Sequence, residues 1–319
     1  MKGYKAFKKG LICDPTGHNP YQYAENTVFE QEEEANICNS GFHFCPQPLD
    51  VLKYYPLVDE NGDMTEFAEV EALDKCKTDN KQKYCTKKIK IGAKIGFPAL
   101  VQASIDFELE KVPNGESKVK ITSKNNAQIG SSGNFAKIGS SGDSAQIGSS
   151  GDFAQIGSSG NFAQIGSSGD SAQIGSSGNF AQIGSSGNFA QIGSSGNSAQ
   201  IGSSGDSAQI GSSGNFAQIG SSGNFAKIGS SGDSAQIGSS GNSAQITSKG
   251  KYSVICCAGN NNIAKGEKGS WITLSEWNFD PKEDTYIPIC VKTEQIDGEK
   301  IKEDTFYKLK NGEFVECKG

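Results

Sequence analysis

Two histidines and nine cysteines are the side chains best able to hold a metal ion or attack a substrate, and their spacing favours neither use. Cys38, His43 and Cys45 offer three soft ligands within eight residues, but a closed tetrahedral zinc site needs a fourth from elsewhere. No two cysteines have the C-x2-C spacing of a zinc knuckle or a redox pair, and His18 stands in a loop-like DPTGHNP. The cysteine count is odd, so reduced and mostly buried thiols are expected, with no metal and no cofactor. A P-loop, a dinucleotide fingerprint, a nucleophile elbow and a zinc-hydrolase motif are all absent. All 30 basic residues are lysine and the net charge is −6. Such a chain lacks the basic stripe that neutralises phosphates, so direct nucleic-acid binding is not expected. No apolar run approaches the roughly 18 to 20 residues of a membrane span. The start, MKGYKAFKKGLICDPTG, has no apolar signal core, so Sec export is disfavoured and an intracellular chain is expected.

What must position any functional side chain is set by the middle of the sequence. From Gly130 to Ile246 run 13 copies of one nonapeptide, G-S-S-G-[N/D]-[F/S]-A-[Q/K]-I, filling 117 of 319 residues. Isoleucine recurs every nine residues from Ile129 to Ile246. Lys137 and Lys227 replace glutamine, so that position faces water. If F-A-Q-I is extended, Ala and Ile point the other way and form the core. The Phe/Ser position then shares the outward face, because a core site would not exchange Phe for Ser without a large cavity. Phe135, Phe153, Phe162, Phe180, Phe189, Phe216 and Phe225 are therefore expected outside, with Phe180 and Phe189 on neighbouring rungs.

G-S-S-G-[N/D] is turn chemistry, with positive φ expected at glycine and at Asn or Asp. A short strand plus a tight turn, repeated, is a parallel β-solenoid. Nine fits neither a five- nor a six-residue rung, so two nonapeptides should make one 18-residue, two-sided coil. The array then holds about 6.5 coils, roughly 31 Å of stack. Strict isoleucine register argues against a disordered Gly/Ser linker. The calcium-binding nonapeptide G-G-x-G-x-D-x-U-x differs in where it places its acid and its large apolar residue, and Asn/Asp exchange here marks a turn rather than a calcium ligand. An ice-binding face is disfavoured by the mixture of Phe and Ser.

Around the array, residues 1–120 are expected to be an α+β domain, residues 121–272 the solenoid with imperfect end rungs, and residues 273–319 a small β cap. GYKAF, FHF, EFAEVEAL and KKIKIGAKI alternate as strands, and Pro46–Tyr55 suggests a short proline-led helix. Ile255, Ile263 and Ile272 extend the rungs. Asp297-Gly298 and Asn311-Gly312 are hairpin signals.

MKGYKAF, the stretch from Cys38 to Tyr55, FAEVEAL and KKIKIG resemble an uncharacterised N-terminal domain of phage and prophage proteins that is joined to S-G-[D/N] arrays. The K-G-x-W-I-x-L-x-E-W stretch from Lys268 to Trp277 is similar to the C-terminal module of that family. The resemblance implies a phage or prophage origin and brings no established activity. Gly41 to Cys45 followed by Tyr54-Tyr55 is also loosely similar to the strand–helix element of ADP-ribosyltransferase-like folds, where a tyrosine stacks on nicotinamide. That resemblance implies roles for His43 and Tyr55, with Glu69 or Glu71 as a catalytic glutamate, but the usual first-strand Arg or His is missing. The leading expectation is a non-enzymatic accessory protein that binds a protein partner, a host immune factor or a second copy, through the rigid solenoid. A virion or fibre component is the alternative.

Overall fold

The protein is described by a computed structural model over residues 1–14, 20–37, 40–59, 61–78, 82–109 and 119–319; His18 and Cys38 lie outside the described residues. Two compact units change over near residue 117.

In the second unit each 18 residues close one coil. Four-residue strands such as Lys137–Ser140, Gln155–Ser158 and Gln173–Ser176 stack in one parallel sheet. Gln146–Ser149, Gln164–Ser167 and Gln182–Ser185 stack in the other. Ile138 pairs with Ile156 and Ile147 with Ile165, so the two-sided, 18-residue solenoid is the observed architecture. Imperfect rungs, from Val119–Thr122 and Gln128–Ser131 to Ile263–Lys265 and Trp271–Asp280, lengthen the stack to nine coils.

Ala and Ile of every copy are buried, as in Ala154 and Ile156. The strand itself is Gln-Ile-Gly-Ser rather than Phe-Ala-Gln-Ile. The first Gly-Ser of each copy therefore belongs to the sheet, and its serine points into the core beside Ile. The phenylalanines are not strand residues either. Each Phe or Ser at that position adopts φ of 54° to 60°, the left-handed region, and it does so in place of the glycine and Asn/Asp expected there. No array glycine has positive φ. The second glycine is required for a different reason: a Cβ on Gly187 would sit 2.0 Å from the carbonyl oxygen of Gly169 in the coil beneath.

Asn and Asp exchange freely because only one acceptor atom is used. Oδ1 of Asp152 accepts the backbone N–H of Asp170 at 2.9 Å, and Oδ1 of Asn161 accepts that of Asn179 at 2.9 Å, 18 residues on. An amide and a carboxylate both offer that oxygen. The turn amides are matched as well, since Phe153 N–H donates to the Asp170 carbonyl and Ser159 N–H to the Ser140 carbonyl. Hydrogen bonding thus runs between coils through turns and strands alike, which is how a thin Ala/Ile core supports the roll.

The C-terminal segment adds to both sheets. Trp271–Asp280 continues one of them and turns back antiparallel as Thr285–Gln295, while Tyr307–Lys310 and Glu313–Glu316 extend the other. Asn311 and Gly312 have φ of 52° and 69°, a two-residue hairpin turn, and the Glu276 carboxylate accepts both of their N–H groups. Of the expected end rungs, Ile255 and Ile272 are core. Ile263 is not, because the eight-residue interval places it at the glutamine position and moves Ala264 onto Ile246.

The first unit is mainly β. Lys2–Phe7, Glu66–Ala72, Lys88–Ile95 and Val28–Glu30 form an antiparallel sheet in that order. Phe42–Phe44, Tyr84–Thr86 and Cys76–Thr78 form a second. The proline-led helix is a 3-10 turn over Pro48–Lys53, and an α-helix over Phe97–Leu109 had no counterpart among the expected elements. Phe7, Tyr23, Phe42, Phe44, Ile89 and Ile91 fill the core.

Candidate functional site

Two places carry chemistry: the outer surface of the solenoid and a buried cluster in the first unit. Around each coil the two turns make two corners. Phe135, Phe153, Phe189 and Phe225 share one corner, and Phe162, Phe180 and Phe216 the other, followed there by Tyr252. All seven phenylalanines are exposed, from 49% at Phe153 to 62% at Phe189. Phe180 and Phe189 are therefore on opposite corners, not neighbouring rungs. The array is not one continuous aromatic ladder: Phe135 stacks on Phe153 at 5.0 Å and Phe162 on Phe180 at 5.2 Å, and serines at 171, 198 and 207 interrupt the columns.

Between the corners, the sheet that begins at Gln128–Ser131 presents two outward columns. Glutamines form one; Gly130, Gly148 and their successors to Gly238 form the other. Together they line a shallow, open groove along seven rungs, ending at Val254 and Cys256. The groove contains no charged side chain; both lysine substitutions, Lys137 and Lys227, fall on the other sheet. Gln128 donates to Gln146 at 3.3 Å at the first rung of the ridge.

In the first unit Lys5 is almost fully buried. Its Nζ donates to the His43 carbonyl at 2.8 Å and lies over the rings of Tyr23 and Phe7 at 5.2 and 5.6 Å. Burial lowers its pKa. Burial, with the Lys5 and Lys83 charges, holds the His43 imidazole down at about 4, and burial pushes the Cys45 thiol up to about 12. Tyr55 Oη lies 3.2 Å from Cys13 Sγ, and burial followed by that thiol contact raises its pKa. His43 and Tyr55 thus both border the Lys5 region. Glu69 and Glu71 alternate with buried Ala68, Val70 and Ala72 and are exposed. Lys5 pairs with Ala68, and the glutamates lie on the opposite face of that sheet. The four residues implied by the transferase resemblance therefore do not converge, whereas Lys5, which sequence reasoning passed over, sits at the centre of the cluster. Only its alternation with Gly3 and Phe7 in KGYKAF signals an inward lysine.

Among the described residues no three His, Cys, Asp or Glu side chains cluster as a metal site, and no helix is long and apolar enough to cross a membrane. The model of a domain of unknown function, DUF7666, matches residues 1–103, about a third of the chain. No curated protein matches the chain, and no solved structure does.

Proposed function

We propose that the protein is a non-enzymatic phage or prophage accessory protein whose solenoid corners capture a protein partner in a bacterial host. The observation that carries this is the combination of exposure and backbone strain at the phenylalanines. The left-handed turn position suits Asn, and Asn126 and Asn261 occupy it in the end coils with φ of 57° and 58°. A bulky ring there is conformationally costly and, at about half exposed or more, adds nothing to the core. Exposed aromatic groups on a rigid frame are what protein interfaces use as anchors. The phage or prophage setting is supported by the resemblance of both ends of the chain. A host immune factor is the partner class that suits an accessory protein of this kind.

The test is cross-linking and mass spectrometry in infected cells with wild-type chain and with a variant that carries serine in place of all seven phenylalanines, Phe135, Phe153, Phe162, Phe180, Phe189, Phe216 and Phe225. Each change copies a residue the turn already accepts, so melting should hold while the cross-linked partner is lost. Equal capture by both proteins would refute the proposal, and so would nicotinamide release from NAD by the purified chain.

A further inference from the structure

The two glycines of each nonapeptide differ in what the fold asks of them. From Gly142 onward the second cannot be replaced, because a Cβ would strike backbone in the coil beneath. On one sheet the first, at Gly130, Gly148, Gly166, Gly184, Gly202, Gly220 and Gly238, has ordinary extended φ and nothing within 4 Å of a built Cβ, whereas on the other sheet the equivalent glycine, such as Gly157, is buried. Glycine is among the poorest strand formers, and β-branched residues fit a pleated sheet far better. The same register position is in fact filled further along the sheet, where Cys256 and then Thr273 follow Gly238. An interior strand glycine that neither φ nor internal crowding explains marks close approach by something outside the sheet.

We infer that the approaching surface is the same face of a second copy, giving a two-fold dimer in which the glutamine ridge of each roll seats in the glycine groove of the other. The ridge and the groove are parallel columns two residues apart on every strand. A two-fold axis parallel to the solenoid axis exchanges them, so the face is complementary to itself along seven rungs, as an isologous contact requires. The face is uncharged, so two copies meet without repulsion although the whole chain carries −6. Gln128 already donates to Gln146 at the first rung, so part of the amide surface is matched before the two copies meet. Seven rungs of four-residue strand offer roughly 34 by 13 Å of sheet from each copy, on the order of 900 Å² in all, the size of a weak and reversible dimer. Val254 and Cys256 end the two columns together and thereby fix the lengthwise register. This contact is separate from the phenylalanine corners and does not depend on partner capture by them.

Sedimentation equilibrium of the full chain tests the dimer. Wild type should be dimeric at tens of micromolar. Gly166→Thr/Gly184→Thr/Gly202→Thr fills the groove and should weaken the dimer by about tenfold or more, with melting unchanged or raised. Gln164→Ala/Gln182→Ala/Gln200→Ala, which removes the ridge without touching the groove, should weaken it likewise and covers the case in which the threonine variant folds poorly. The Phe162→Ser/Phe180→Ser/Phe216→Ser variant should remain dimeric. A monomeric wild type overturns the inference, and so does a dimer that survives both groove and ridge variants; the latter would place the contact elsewhere, for example on the C-terminal hairpin. A monomer whose groove takes up a linear oligosaccharide such as cellohexaose would overturn it in favour of a glycan site.

Discussion

At the scale of single residues, the serine column inside the roll is the least comfortable feature. Twelve inward hydroxyls, from Ser140 to Ser239, are buried without a hydrogen-bond partner. An unmatched buried hydroxyl is destabilising, whereas a methyl group of similar shape is not. The chain makes that replacement itself where the repeat ends, since Cys257 lies over Ser239 and Leu274 over Cys257. Ser176→Ala and Ser212→Ala, both at fully buried sites, should each raise stability by about 1 kcal/mol in denaturant titrations. A loss of similar size would mean that these hydroxyls are matched in solution. His43 supplies a second residue-scale expectation. Its folded pKa of about 4 lies below the unfolded 6.5, so the unfolded chain takes up the proton first as pH falls. Its contribution is intact above pH 6.5 and is lost as pH drops toward 4. The ring is partly exposed, so the effect should be discounted to about 1 to 2 kcal/mol. Melting of the first unit between pH 7 and 4 should show this slope, and His43→Gln should flatten it.

At the scale of the element, one nonapeptide makes one strand and one corner, and its two glycines separate the demands of each. Gly187→Ala should cost about 3 kcal/mol or more, because the methyl group meets immovable backbone. Gly184→Ala, three residues earlier, should be neutral or stabilising by up to about 1 kcal/mol. Parallel thermal melts would decide it, and equal costs would show that the coils can slide apart to admit a side chain. The same element shows what the sequence could and could not disclose. Isoleucine at every ninth position reveals the coil, the core and the inward face, because burial leaves a periodic trace. The strand boundaries leave none: Gly-Ser-Ser-Gly has turn composition, yet its first half is held in the sheet by pairing 18 residues away, as Gly157 is by Gly175. The positive φ is invisible for the same reason. A local view assigns it to glycine or Asn, whereas the inter-coil bond from Phe153 N–H to the Asp170 carbonyl fixes it on the Phe. In the first unit the strands were legible from alternation, but the approach of His43 and Tyr55 to Lys5 depends on contacts across dozens of residues that no local pattern records.

At the scale of the whole molecule, a parallel solenoid must close its ends or continue into another chain, since a parallel sheet presents an open row of backbone donors and acceptors. At the C-terminal end the coils finish in Ile263–Lys265 and Trp271–Asp280; the hairpin from Trp271 to Gln295 turns the latter back on itself, and the hairpin from Tyr307 to Glu316 covers the former. The outer strand of the first hairpin, Thr285–Gln295, carries Pro288 and a register shift opposite Glu276 and Trp277, two devices that spoil further pairing. Glu313 and Glu316 bracket the outer strand of the second. The hairpins are also anchored, with Trp277 Nε1 donating to the Ala258 carbonyl and Ser275 Oγ to that of Gly259. Ending the chain before Trp271 removes this closure and leaves two strands of near-uniform coil with free edges. Such a fragment should keep its β content and assemble end to end into filaments, seen as rising light scattering and thioflavin fluorescence while the intact chain stays clear. Restoring residues 271–319 with Pro288→Val should give an intermediate rate, because it removes one guard and keeps the rest. A truncated chain that stays unassembled at high concentration would show that the last coil closes itself, and that the hairpins serve some purpose other than stopping the stack.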